Sequence, residues 1–123
     1  MRKTRVFLAG VPLLLFVVSL EAQDPAKVGA NKCKVEFKND YVRVLRWNVG
    51  PGEKVPMHEH PASISILLSG GHVEFTNPDG TTRDLEAEAG KVAWNGPQSH
   101  AGQNVGETLW EVIQIELKGA ARP

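Results

Sequence analysis

One cysteine, Cys33, is the entire thiol complement of the 123 residues, so no disulfide can close within the chain. Stability has to come from packing, from a bound metal or from a partner subunit. Charge of either sign is not in excess, because the 14 Lys and Arg side chains equal the 14 Asp and Glu. Taking off Arg2, Lys3, Arg5 and Glu21 with the leader described below leaves a slightly acidic chain. Such a chain lacks the basic footprint on which phosphate-backbone binding rests, and no nucleic-acid partner is expected. No apolar period of 3.6 residues persists past two turns, so no long amphipathic helix is expected. A serine nucleophile elbow, a phosphate-cradling glycine loop, a Cys–His pairing, an internal repeat and a low-complexity stretch are all missing. The length suits one domain and not two.

The one long hydrophobic run is at the start. Met1 to Arg5 carries positive charge, Val6 to Leu20 is apolar, and Ala22 offers a small residue for cleavage before Gln23. This reads as a secretory signal peptide over residues 1–22. The run is short for a span, which takes about 20 apolar residues. The mature chain is therefore expected in the periplasm or secreted, with no stable membrane association after cleavage. Residues 23–32, polar and carrying Pro25 and Gly29, read as a flexible lead-in. A folded domain is expected over 33–118 and a tail over 119–123.

From Cys33 onward the pattern is that of strands: about eight short ones, punctuated by glycine and proline, which suggests an antiparallel β-sandwich or barrel. Asn77-Pro78-Asp79-Gly80 reads as a hairpin turn, with Pro78 presetting φ and Gly80 supplying the left-handed residue. Ile64, Ile66 and Leu68 alternate on one face, expected inward, which turns Ser63, Ser65, Leu67 and Ser69 outward. Near the end of the chain, Leu109, Ile113, Ile115 and Leu117 are in register on one face of the last strand.

Three of the four histidines fall in two segments framed by glycine and proline. His58 and His60 are two apart on an extended chain, so they share a face. Two imidazoles turned into an apolar interior are costly without partners, and a divalent cation would use both as ligands. His100, past the Gly96-Pro97 turn, could close the site from across the barrel.

These residues carry a family resemblance. Gly52, five residues on His58-Glu59-His60, then Ile64 and Gly71, is similar to the first characteristic motif of the cupin superfamily. His100 and Asn104 match the second, with Pro97 at its usual Gly, Asn95 at its usual Pro and Gly90 one residue out of register. The resemblance covers residues 41–117 and implies an all-β fold, an antiparallel double-stranded β-helix (jelly-roll) barrel. It also implies one divalent transition metal (Fe, Mn, Ni, Cu or Zn) held by His58, His60 and His100. The carboxylate usual in the first motif is replaced by Ile64, so the expected shell is three neutral imidazoles. That leaves coordination positions open for a small-molecule ligand or substrate. Cupins of this kind include dioxygenases and isomerases acting on small organic molecules. Family members commonly pair through outer strands, so a homodimer is expected.

Three further residues are candidates for a substrate pocket. Trp94, six before His100, shares that histidine's face if the intervening turn preserves register, and could stack on a ligand. Glu111 lies on the face of Leu109, Ile113 and Ile115; if that face is interior, it is a buried carboxylate able to act as acid, base or imidazole acceptor, and if it is an outer face, a second subunit or the N-terminal strand covers it. Arg46, beside Val42, Val44 and Asn48, is a candidate for anion binding. The competing reading is a non-catalytic binding or dimerisation module that kept the turns and lost the metal. His72, outside both motifs, is expected at the surface, and Trp47 and Trp110 in the core or an interface.

Overall fold

A computed structural model describes residues 9–10, 23–29 and 31–119. The expected leader over 1–22 and the tail over 119–123 fall almost wholly outside these residues. Among the described residues, no helix is long and apolar enough to cross a membrane.

The chain alternates between two sheets, and every ladder is antiparallel. In chain order the strands are β1 (Cys33–Lys38), β2 (Val42–Val49), β3 (Lys54–His60), β4 (Ser63–Leu67), β5 (Gly71–Thr76), β6 (Thr82–Ala87), β7 (Val92–Asn95), β8 (Gln98–Asn104) and β9 (Trp110–Leu117). The five-stranded sheet runs β1-β2-β9-β4-β7 and the four-stranded sheet β3-β8-β5-β6. Two facing antiparallel sheets of crossed-over strands form the expected jelly roll, with the core between them. That core holds Leu45, Trp47 and Val49 of β2, Val55 of β3, Leu67 of β4, Val73 of β5, and Trp110 and Val112 of β9.

Several motif residues owe their identity to this architecture. Gly52 has φ +76° in the turn before β3, a conformation that side chains rarely adopt. At Gly71 a Cβ would come within 2.8 Å of Trp110 Cε3, so the bare backbone seats the indole. Asn104 is buried and fully satisfied: Nδ2 donates to the carbonyls of Val49 and Thr108, each at 2.8 Å, and Oδ1 accepts from the Gly106 N–H at 3.0 Å. It pins the end of β8 to β2 and to the turn before β9. The hairpin turn joins β5 to β6 as expected, with Gly80 at φ +85° and Asp79 accepting from the Thr81 N–H at 2.9 Å.

Two expectations are corrected. Residues 23–29 of the lead-in do not lie loose: Pro25–Val28 forms a short helix, α1, capped by Asp24, whose Oδ1 accepts from the Ala26 N–H at 2.8 Å. Pro25 is fully buried, and the Gln23 carbonyl accepts from the Glu59 N–H at 3.0 Å, which fastens this segment beside β3.

The face of β4 is the reverse of that expected, and on β9 the face of Glu111, Ile113 and Ile115, left open by the sequence, is the outer one. Ser63 and Leu67 are buried while Ile64 and Ile66 are only half-buried; on β9, Trp110, Val112, Gln114 and Glu116 are buried while Glu111, Ile113, Ile115 and Leu117 alternate outward. The polar residues can turn inward because they satisfy one another. Trp47 Nε1 donates to Gln114 Oε1 at 2.9 Å, and Gln114 Nε2 donates to Ser63 Oγ at 3.0 Å. The apolar residues displaced outward join a row across the whole sheet: Phe37 pairs with Val44, Val44 with Ile115, Ile115 with Ile64, and Ile64 with Trp94.

A candidate metal centre

β3 and β8 are hydrogen-bonded neighbours in the four-stranded sheet, and His58 lies directly opposite His100 across that ladder. His60, two residues along β3, projects to the same side. All three imidazoles are buried, with ring centroids 4.6 Å apart for His58–His60, 4.8 Å for His58–His100 and 5.3 Å for His60–His100. One nitrogen from each ring lies within 4.8 Å of those of the other two. The structure thus brings together the three histidines that the sequence separates by forty residues.

Their hydrogen bonds define which nitrogens remain free. His58 Nδ1 lies 2.7 Å from the Pro56 carbonyl and His60 Nδ1 lies 2.9 Å from Glu116 Oε2. A carbonyl and an ionised carboxylate can only accept, so each Nδ1 carries a hydrogen and Nε2 is the nitrogen left for a ligand role. His100 Nδ1 is buried with no hydrogen-bond partner, alone in this among the described side chains. An unsatisfied buried polar atom costs about 1–3 kcal/mol. Three buried imidazoles, each offering a nitrogen within 4.8 Å of the others, are a donor set that fits a metal.

Protonation states fit as well. Burial pushes His58 down to about 4 and His100 down to about 3, each helped by the neighbouring imidazoles. Both are neutral at pH 7, the form that binds a cation. Burial alone would raise Glu116, but hydrogen bonds from His60 and Arg43 together with the Arg43 charge hold it below its ordinary range. Its carboxylate is 2% exposed and joins a chain of charges: Arg43 Nε donates to Glu116 Oε1 at 2.6 Å, and Arg43 Nη1 to Asp24 Oδ2 at 2.7 Å. The segment around α1 therefore braces the imidazole of His60 from behind.

The imidazoles face a cavity of about 120 Å³ whose wall includes Trp47, Val55, Leu67, Val73 and Phe75. Trp47 lies 5.2 Å from His58, and Phe75 stacks on His100 at 4.7 Å.

The expected pocket residues lie elsewhere. Trp94 is 64% exposed on the outer face of β7, because the Gly96-Pro97 turn carries the chain from one sheet to the other and the register with His100 is lost. Asn95, its neighbour, lines the cavity instead. Arg46 and Glu111 also face outward, and they pair with each other: Arg46 Nη1 donates to Glu111 Oε1 at 2.6 Å, and Arg46 Nε to Glu36 Oε1 at 2.6 Å. Ile64 points away from the cavity while Ser65 lines it, the opposite of the expected arrangement. The buried carboxylate near the histidines is Glu116. Its alternation with Trp110 and Val112 was the available signal, outweighed by the more apolar odd-numbered residues of the same strand.

Solved structures resemble the chain along most of its described length. A cupin domain from Bordetella pertussis Tohama I superposes with a TM-score of 0.66 at 21% identity, over 71% of this chain and 92% of that one. A protein with a double-stranded β-helix domain from Klebsiella pneumoniae gives 0.59 at 25% identity, over 73% and 78%. A Cupin 2 conserved barrel domain protein from Salinispora arenicola gives 0.54 at 20%, over 72% and 76%. No protein-family model and no curated protein matches the sequence.

Proposed function

Because this chain is a cupin in its fold, a double-stranded β-helix with three imidazoles converging inside it, we propose that it binds one divalent transition metal through His58, His60 and His100. On this reading it acts on a small organic molecule held in the adjoining cavity, as an oxygenase or an isomerase. The observation that carries the reading is the convergence of three buried imidazoles, one nitrogen from each within 4.8 Å of the others, with His58 and His60 oriented by hydrogen bonds through Nδ1. When bound, the metal supplies Lewis acidity to whatever small molecule sits beside it. Glu116 and the Pro56 carbonyl orient two rings, and the apolar wall of the cavity excludes water. Iron, manganese, nickel, copper and zinc all suit imidazole ligands.

Elemental analysis of the full chain tests this, joined to melting curves with each metal added. Stoichiometric metal, or a rise in melting temperature with one of Mn, Fe, Co, Ni, Cu or Zn, supports the reading. Neither result leaves a barrel without a metal, which is the binding or association module. With metal bound, oxygen uptake across thiols and phenolics separates an oxygenase from a binder.

Two features beyond the site belong to the same proposal. Export with removal of residues 1–22 is checked by N-terminal sequencing of protein recovered outside the cytoplasm, with Gln23 expected first. Pairing with a second copy is supported by the apolar row from Phe37 to Trp94 on the outer face, whose ends are 54% and 64% exposed. The charged cluster on that face is internally paired through Arg46, Glu36 and Glu111, so no unmatched charge calls for a partner of opposite sign. An apolar and locally neutral face suits self-pairing about a two-fold axis.

A further inference from the structure

The cavity has one charged side chain in its lining, Arg83, and no carboxylate. Arg83 lies on β6 directly opposite Phe75, and its guanidinium carbon sits 4.6 Å over the centre of that ring. The far side of the arrangement is His100, on which Phe75 stacks. One aromatic ring therefore separates an arginine at the exposed mouth from the imidazole cluster at the base. The ion pairs among the described residues occupy Arg43 and Arg46, not Arg83. A guanidinium parked on an aromatic face keeps its N–H fork free in the plane of the group.

Charge at the other end has the same sign. A cation held by three imidazoles keeps its positive charge, because the donor set contains no carboxylate, and the nearby carboxylate of Glu116 is already engaged by Arg43. Between the two positive ends the wall is apolar, with Val55, Val73 and Leu85 contributing, and charge interactions there are screened less than in water. A cation would be repelled, and a neutral sugar or alcohol would gain from Arg83 only hydrogen bonds to uncharged oxygens, weaker than those of an anion. At about 120 Å³ the space holds a molecule on the order of ten non-hydrogen atoms.

We propose that Arg83 anchors the anionic group of the molecule bound here, so that the ligand is a small carboxylate with an apolar body. The inference rests on the metal reading for the positive charge at the base of the cavity. Arg83 is a binding residue, and a carboxylate matches its planar fork with two parallel hydrogen bonds.

The test is calorimetric titration of cobalt(II)-loaded protein with benzoate and with propionate, each against its uncharged amide. The expected result is a preference of about tenfold or more for a carboxylate over its amide. Arg83→Gln should reduce that preference to about twofold or less, and Arg83→Lys should keep part of it. Cobalt affinity and melting temperature should be the same in all three proteins. An unchanged preference in Arg83→Gln, or no carboxylate binding by protein that holds cobalt, overturns the inference. Failure of the wild type to hold cobalt or any of the other metals, Mn, Fe, Ni, Cu and Zn, overturns the metal reading separately. The metal-free protein then decides the anchor alone, which stands if a residual carboxylate preference vanishes in Arg83→Gln and falls if there is none.

Discussion

Glu116 Oε2 stands 2.9 Å from His60 Nδ1, with both side chains almost wholly buried. The carboxylate lies on β9 of one sheet and the imidazole on β3 of the other, so this hydrogen bond crosses the interior of the barrel. It fixes the tautomer of His60 and raises the basicity of the nitrogen left free. Replacing Glu116 with Gln keeps a hydrogen-bond acceptor and removes the charge. Metal affinity should fall by about 10- to 100-fold while the fold survives, measured by competition with a chelating dye. Glu116→Ala also strands Arg43 and His60, and the loss of a buried pair should cost about 3–5 kcal/mol in denaturant unfolding.

Acid should weaken the metal-free protein well before its carboxylates titrate in bulk. His58 and His100 have folded values of about 4 and about 3 against 6.5 in the unfolded chain, because burial disfavours their charged forms. Between pH 6.5 and 3 the unfolded chain holds more protons, so stability is full above pH 6.5 and drains as pH falls through that interval. The depressed Glu116 adds to the loss on the acid side. Melting temperatures taken at intervals from pH 7 to pH 4 should fall steadily. In His100→Asn the slope should be shallower.

The inner polar ladder can be tested apart from the metal. Gln114→Leu removes the acceptor for the Trp47 indole N–H and the donor to Ser63 Oγ, both inside the barrel. Each stranded group costs about 1–3 kcal/mol, and every 1 kcal/mol lowers the melting temperature of a domain this size by roughly 4–8 °C. A change within 2 °C, by an order-of-magnitude reading of the same relation, contradicts this account of why Gln114 turns inward.

Self-association is tested at the middle of the outer row. Ile115 pairs with Val44 on one side and Ile64 on the other, on the face of the sheet turned away from the imidazoles. Ile115→Glu should convert a dimer to a monomer in sedimentation velocity while leaving metal content unchanged. A wild type that sediments as a monomer at micromolar concentration rules out the homodimer.

Fold class and the histidine cluster could be read from residue order alone, and the reasons are local. Alternation sets strands, glycine and proline set turns, and two histidines at an even spacing must share a face whatever the rest does. The direction each face looks is another matter. Ile64, Ile113 and Ile115 lie outside while Ser63, Gln114 and Glu116 lie inside, because polar groups that find partners across the barrel are as much at home there as aliphatic ones. Those partners sit forty to seventy positions away in the chain, beyond what any window of hydropathy can weigh. Trp94 failed for a related reason: a two-residue turn that changes sheets breaks the counting by which it was paired with His100. Arg83 was passed over because nothing in its own neighbourhood distinguishes it from a surface arginine.

In the four-stranded sheet, β3 and β8 carry the imidazoles at one side, while β6, which carries Arg83, is the outermost strand at the other. The base of the cavity and its entrance thus belong to separate ladders, with β5 between them. Substitutions along β6 can change which molecules are admitted without moving any ring nitrogen. A barrel divided in this way leaves the entrance free to vary over evolutionary time while the three imidazoles stay where they are.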